Sequence, residues 1–160
     1  MSGIGNTTTH IQTLRRAIDA AERQALAPHR LTVAGFELLD LLSRDPGISA
    51  VWAAARIGVT AQSTGTVLFR LSEAGLVTRE ITNRVGRPAA IRPTPAGHKV
   101  LLAAREVVDE VDDRFTAAMR PGEVGELDRL LGVGLAAFPN ERLDRIRAGA
   151  VPATSAGATA

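Results

Sequence analysis

The side chains best suited to recognition chemistry lie between residues 57 and 87. After Ile57-Gly58-Val59 come Thr60, Ala61, Gln62, Ser63, Gly65 and Thr66, which are small or polar, and none is acidic. A glutamine amide donates and accepts side by side, which matches an adenine edge. Serine and threonine hydroxyls suit several bases, and the Ala61 methyl suits a thymine methyl. Arg70, a turn further on, is placed for phosphate. Arg84 and Arg87 then flank Val85-Gly86 in a stretch rich in turn residues. Two guanidiniums on a loop tip can enter a minor groove, where negative potential is high, and Gly86 allows close backbone approach. No Ser/His/Asp set and no phosphate-binding glycine loop occurs, so an enzyme is not expected.

These residues need elements to hold them. Ser49 can cap a short helix from Ala50 to about Ile57, and Gly58 stops it. Thr60 can cap the next helix, which Gly75 closes. Two short helices joined by such a turn have helix-turn-helix geometry, and in it the second helix lies in the DNA major groove. Thr64, Val67, Leu68 and Leu71 fall on the opposite stripe and should pack inward. Val77–Ile81 and Ala89–Arg92 then read as a β-hairpin with a basic tip, its second strand held to an edge role by Pro88 and Pro93. The expected DNA contacts are Ser49, Thr60, Ala61, Gln62, Ser63, Thr66, Arg70, Arg84, Gly86 and Arg87.

Helices surround this unit on both sides. Asn6 to Thr9 offer N-caps for a first helix with a narrow apolar seam of Ile11, Leu14, Ile18, Ala21 and Ala25, ending before Pro28. Thr32 can cap a second, broadly apolar through Phe36, Leu38, Leu39, Leu41 and Leu42, and stopped by Asp45-Pro46-Gly47. Thr94-Pro95 starts a long helix whose seam runs Leu101, Ala104, Val108, Val111, Phe115 and Ala118 until Pro121-Gly122. A last helix carries Val124, Leu127, Leu130, Leu131, Leu135 and Phe138, then passes Pro139 into Leu143 and Ile146. The expected fold is mainly α with a small β-hairpin wing, an α+β arrangement.

The composition narrows the function. The 160 residues contain no cysteine and no tyrosine. This excludes disulfides, thiolate metal sites, cysteine nucleophiles and thiol redox sensing. No apolar run approaches a membrane span and no secretory signal is visible, so a cytoplasmic protein is expected, with no membrane partner. The net charge is only +2, and the sequence pI of about 10.3 reflects arginines with nothing to titrate against them. The distribution is more telling: residues 56–99 hold seven basic side chains against two acidic ones, and the remainder of the chain is net acidic. One basic segment in an acidic remainder is the footprint of a polyanion-binding surface.

The sequence here resembles the MarR family of winged helix-turn-helix transcriptional regulators. The matching text is Leu31-Thr32, Phe36, Leu38-Leu39, Leu41-Leu42 and Pro46-Gly47-Ile48-Ser49, then Ile57-Gly58-Val59-Thr60-Ala61-Gln62-Ser63, then Arg70-Leu71-Ser72-Glu73-Ala74-Gly75-Leu76-Val77, then Arg92-Pro93-Thr94-Pro95-Ala96-Gly97. It covers roughly residues 10–138. The resemblance implies a homodimer joined by the first and last helices, binding a pseudo-palindromic operator in double-stranded DNA. It also implies a repressor released by a small phenolic, aromatic or lipophilic effector held between the DNA-binding and dimerisation regions. Thr66 stands where the family often has Arg, and Val85 where an Asp usually orients the wing arginine. Trp52 and Phe69 replace residues that are commonly polar.

Simpler readings stand beside these. Arginines on a helix and loop can be a solvated face, and apolar seams can be internal core. The first and last helices are favoured as a dimer interface through Ile11, Leu14, Ile18, Leu127, Leu130, Leu131 and Phe138, while the fifth could be a spine. Glu106, Asp109, Glu110, Asp112 and Asp113 read as a solvated face. No cofactor or metal site is expected. His10, Arg15 and His29 are weak candidates for meeting an acidic effector. The expected organisation is a dimerisation helix over 6–30, a DNA-binding region over 31–97, linker and dimerisation helices over 98–148, and a disordered tail over 149–160. The alternative is a winged helix that has lost DNA binding and recognises a partner protein.

Overall fold

The structure, a computed structural model, describes residues 4–57, 60–80 and 90–137. The element order is α1 (Ile4–Leu26), a 3-10 turn (Ala27–His29), α2 (Val33–Arg44), α3 (Ala50–Arg56), α4 (Ala61–Glu73), β1 (Val77–Glu80), β2 (Ala90–Pro93), α5 (Pro95–Thr116) and α6 (Glu123–Ala136). The architecture is mainly helical with one two-stranded antiparallel sheet, as expected.

Four helices begin on the hydroxyl residue the sequence singles out. Thr32 accepts from the Gly35 amide at 3.0 Å, Ser49 from Trp52 at 3.2 Å, Thr60 from Ser63 at 3.1 Å and Thr94 from Gly97 at 3.0 Å. Each satisfies one amide that the first turn leaves without a helical partner. The first helix differs from expectation. It is already formed at Ile4, so Asn6 to Thr9 lie within it rather than capping it. Such residues cost an exposed helix only a few tenths of a kcal/mol each, too little to stop it. At the other end of the chain, α5 stops at Thr116, so Ala118 falls beyond it. Phe138, Pro139, Leu143, Ile146 and the tail 149–160 lie outside the described residues.

The core forms where α2, α4 and α5 meet the end of α1. Leu26, Leu38, Leu39, Leu42, Leu68 and Leu101 are fully buried there. α5 also packs along α1, so part of its seam is core within one chain. The sheet register pairs Val77 with Pro93 and Arg79 with Ile91. The outer edge of β2 is not open: the Gly47 amide donates to the Ile91 carbonyl at 2.9 Å, and the Ile91 amide donates to Ile48 at 3.3 Å. The loop after α2 thus braces the hairpin against the helices.

α4, the hairpin and α5 join at one compact knot. The Gly75 amide donates to Ser72 and the Leu76 amide to Leu71, with Gly75 at φ +69°, a Schellman ending that favours glycine. The Thr94 hydroxyl donates to the Gly75 carbonyl at 2.7 Å and the Thr94 amide to the Leu76 carbonyl at 3.0 Å. A Cβ on Gly97 would collide with that same Leu76 carbonyl. The Ala74-Gly75-Leu76 and Thr94-Pro95-Ala96-Gly97 motifs are therefore two halves of one joint.

Candidate nucleic-acid interface

α4 has two sharply different faces. Thr64 and Leu68 are fully buried and Leu71 nearly so, with Val67 partly buried against the core. Gln62, Ser63, Thr66, Phe69 and Arg70 are exposed. No acidic residue lies in the first turn. The macrodipole therefore presents its positive end together with polar side chains, a combination that attracts anions.

The hydroxyls on this face are partly committed, and the commitments define what each can offer. Thr60 accepts the Ser63 amide and donates to Ser63 Oγ at 2.9 Å, so its hydroxyl is spent on the cap. Ser63 Oγ accepts that bond and keeps its own hydrogen to donate outward. Thr66 Oγ1 donates to the Gln62 carbonyl at 3.3 Å and so faces outward as an acceptor. Thr64 Oγ1 donates to the Thr60 carbonyl at 3.1 Å, which satisfies the hydroxyl buried beneath the face. Gln62 supplies both donor and acceptor. Ser49 is half-buried with its oxygen committed to the Trp52 amide, which leaves it one hydrogen to donate. Arg70 stands in the last turn of α4.

The turn residues Gly58 and Val59, the side chain of Ala61, and the wing residues Arg84, Val85, Gly86, Arg87 and Pro88 lie outside the described residues. The strands carry the wing from a fixed base, with Val77 and Ile91 buried and Thr78 and Arg79 exposed.

Two features of the support are fixed by side-chain contacts. Asp40 is only 7% exposed, amid the leucines of α2. Arg105 of α5 donates to its Oδ1 through Nε at 2.9 Å and through a terminal nitrogen at 2.6 Å, and Arg44 pairs with its other oxygen. This ties α2 to the long helix α5. The one available signal was an acid inside the run Leu38-Leu39-Asp40-Leu41-Leu42. The second feature concerns Trp52, which packs partly buried against the core while the Arg56 guanidinium lies 5.2 Å from its ring centroid. The cation–π contact covers the ring's outer side.

The candidate effector and dimer residues meet in a second region. His10, Ile11, Leu14, Arg15, Leu127 and Leu131 line an open cleft of about 600 Å³ between α1, the end of α5 and α6. Ile18, Glu22, Glu37 and Phe115 share it, whereas His29 does not and stands half-buried at the end of the 3-10 turn. Arg15 pairs with Asp19 at 3.6 Å. Burial, with Asp19 nearby, holds the Glu22 and Glu37 carboxyls above the usual range, partly opposed by Arg15.

Comparison with known proteins agrees with this architecture. The MarR family matches residues 31–88, which span α2, the helix-turn-helix and β1. The HTH-type transcriptional repressor Rv2887 of Mycobacterium tuberculosis is 35% identical over 107 residues, spanning 67% of this chain and 77% of that protein. The structure of Rv2887 in complex with DNA aligns with a TM-score of 0.66 at 28% identity, covering 82% of this chain and 97% of that one. Its complex with salicylic acid aligns at 0.64 with 29% identity, covering 82% and 96%. A MarR family regulator from Rhodococcus sp. RHA1, 21% identical, shares the fold at a TM-score of 0.74, covering 88% and 100%. With a repressor relative matched over most of its length and the family pattern lying on the helix-turn-helix, the chain belongs to the MarR family of transcriptional regulators.

Proposed function

We propose that this regulator is a homodimeric repressor that sets the α4 of each subunit into the major groove of a pseudo-palindromic operator. The observation that carries the reading is the two-faced α4: an apolar stripe buried in its own chain, and an acid-free polar face left outward at its N-terminal half. Ser63 donates to bases or phosphate, Thr66 accepts, and Gln62 does both. Arg70 meets phosphate, and Arg84 and Arg87 carry positive charge into the neighbouring minor groove. Residues 31–97 make up the DNA-binding region. Residues 6–30 and 98–148 form the dimer scaffold, with half-sites about 34–36 Å apart.

A small aromatic or lipophilic effector releases the operator from the cleft that contains His10 and Arg15. The salicylic acid complex of Rv2887 and the largely apolar walls of that cleft support this. The protein works in the cytoplasm; no helix among the described residues is long and apolar enough to cross a membrane.

A mobility shift with duplex DNA from the gene's own promoter, repeated across salt concentrations, tests the reading. Affinity should fall by about 0.9 log units per log unit of salt for each phosphate neutralised. No shift, or affinity indifferent to salt, would replace it with a winged helix that recognises a protein.

A further inference from the structure

Phe69 is the unexplained residue of α4. Its side chain is 63% exposed, while Phe36 packs against the core and Phe115 is half-buried. Gln62, Thr66 and Phe69 follow one another at steps of four and three residues. At 3.6 residues per turn their side chains leave the helix within about 60° of one another. The buried stripe of Thr64, Leu68 and Leu71 lies on the other side. A large aromatic thus stands in line with the polar reading residues, and most of it is left uncovered among the described residues. Helical side chains lean towards the N-terminus, which brings the ring over the turn holding Gly65. Nothing lies within 4 Å of where a Gly65 side chain would begin, so the surface beside the ring is flat and open. Glu73, one turn further, is exposed and acidic, and it marks where close approach to phosphate must end.

We propose that Phe69 is a specificity-determining residue that reads thymine through its C5-methyl group. The inference rests on α4 being the DNA-reading helix and extends that reading by one turn. Base edges in the major groove are otherwise donors and acceptors, and the thymine methyl is the apolar group that a phenyl ring can cover. An aromatic there adds preference for thymine without hydrogen bonds, and it complements the more neutral readout that Thr66 provides.

The test uses the full chain and duplexes that the wild type enriches from a random pool. Each thymine of an enriched half-site is replaced singly by deoxyuridine, which lacks only the methyl. At one position the wild type should lose about fourfold in affinity, the value of one buried methyl-sized group. Phe69→Ala should bind the thymine probe about fourfold more weakly and no longer distinguish thymine from deoxyuridine at that position. Its preference at the Gln62 position and its salt dependence should be unchanged. Phe69→Leu, which keeps an apolar side chain, should retain part of the discrimination, and thermal melting checks that both variants fold. The proposal is overturned if deoxyuridine is tolerated at every position, or if Phe69→Ala keeps the wild-type discrimination, including the case where it instead loses a protein partner. Enrichment of no duplex at all would remove the DNA reading itself, and this inference with it.

Discussion

α4 and α6 are almost equal in length, 13 and 14 residues, yet they solve opposite problems. α4 sinks its apolar stripe into its own chain and leaves hydroxyls, an amide, a guanidinium and the single Phe69 ring outside. α6 buries none of its residues; Leu130 is 51% exposed, Val133 61% and Leu135 72%. Its polar side is satisfied locally, where Arg129 grips Glu126 with two hydrogen bonds and holds that carboxyl below its usual range. One helix buries its apolar stripe inside the protomer and offers a mainly polar surface. The other offers apolar surface that water disfavours, as a helix awaiting an apolar partner does. The sign of what is left exposed distinguishes a nucleic-acid partner from a second copy of the chain.

The largest expected effect breaks this contrast directly. Leu68→Ala removes a fully buried side chain and should cost about 2–5 kcal/mol in thermal or urea unfolding. Leu135→Ala in α6 should cost far less at low protein concentration. Equal losses would mean that α6 is packed in the protomer as α4 is. Next, replacing Leu130 and Leu131 together by Asp should turn a dimer into a monomer by sedimentation and weaken operator binding, because two half-sites no longer act together. A variant that stays dimeric would dissociate α6 from the interface.

On the α4 side, Gln62→Ala should lose about 1–3 kcal/mol of discrimination at one base position, read by competition with singly substituted duplexes. Arg87→Ala should instead weaken all sequences alike and lower the salt slope by about one. A uniform loss from Gln62→Ala would remove its assigned role in base reading.

The smallest effect concerns the scaffold's acids. Glu22 and Glu37 hold their protons more tightly folded than unfolded, where the ordinary value is 4.5. Their ionisation therefore opposes folding: stability falls as pH rises from about 4.5 through the raised values, and the penalty is fully present above them. Glu37→Gln should raise the melting temperature at pH 7, and the gain should shrink towards pH 4. A gain unchanged across that range would assign it to something other than charge.

Much of the helix-turn-helix half was legible because its determinants are local. A capping hydroxyl at 32, 49, 60 or 94 serves an amide within three residues, and the buried stripe of α4 follows from helical period alone. What escaped depends on distant partners. Asp40 carries no role by its place in an apolar run, because the two bonds that hold it come from Arg105, far along the chain. The bracing of Ile91 by Gly47 and Ile48 is made by backbone groups, which carry no residue-type signal. Phe69 was visible as an oddity, but its alignment with Gln62 and Thr66 gains meaning only once the opposite face is seen to be buried.

The knot between Leu76, Thr94 and Gly97 has a mechanical consequence. It makes the start of α5 and the end of α4 a stiff elbow, so the reading head turns with the arm. An arm of 22 residues is about 33 Å long, and a swing of about 5° at its far end carries the head about 3 Å. That is close to one base-pair step. In the proposed dimer, a small wedge at the root of the arm would therefore slip the two heads out of register with their half-sites without loosening either head.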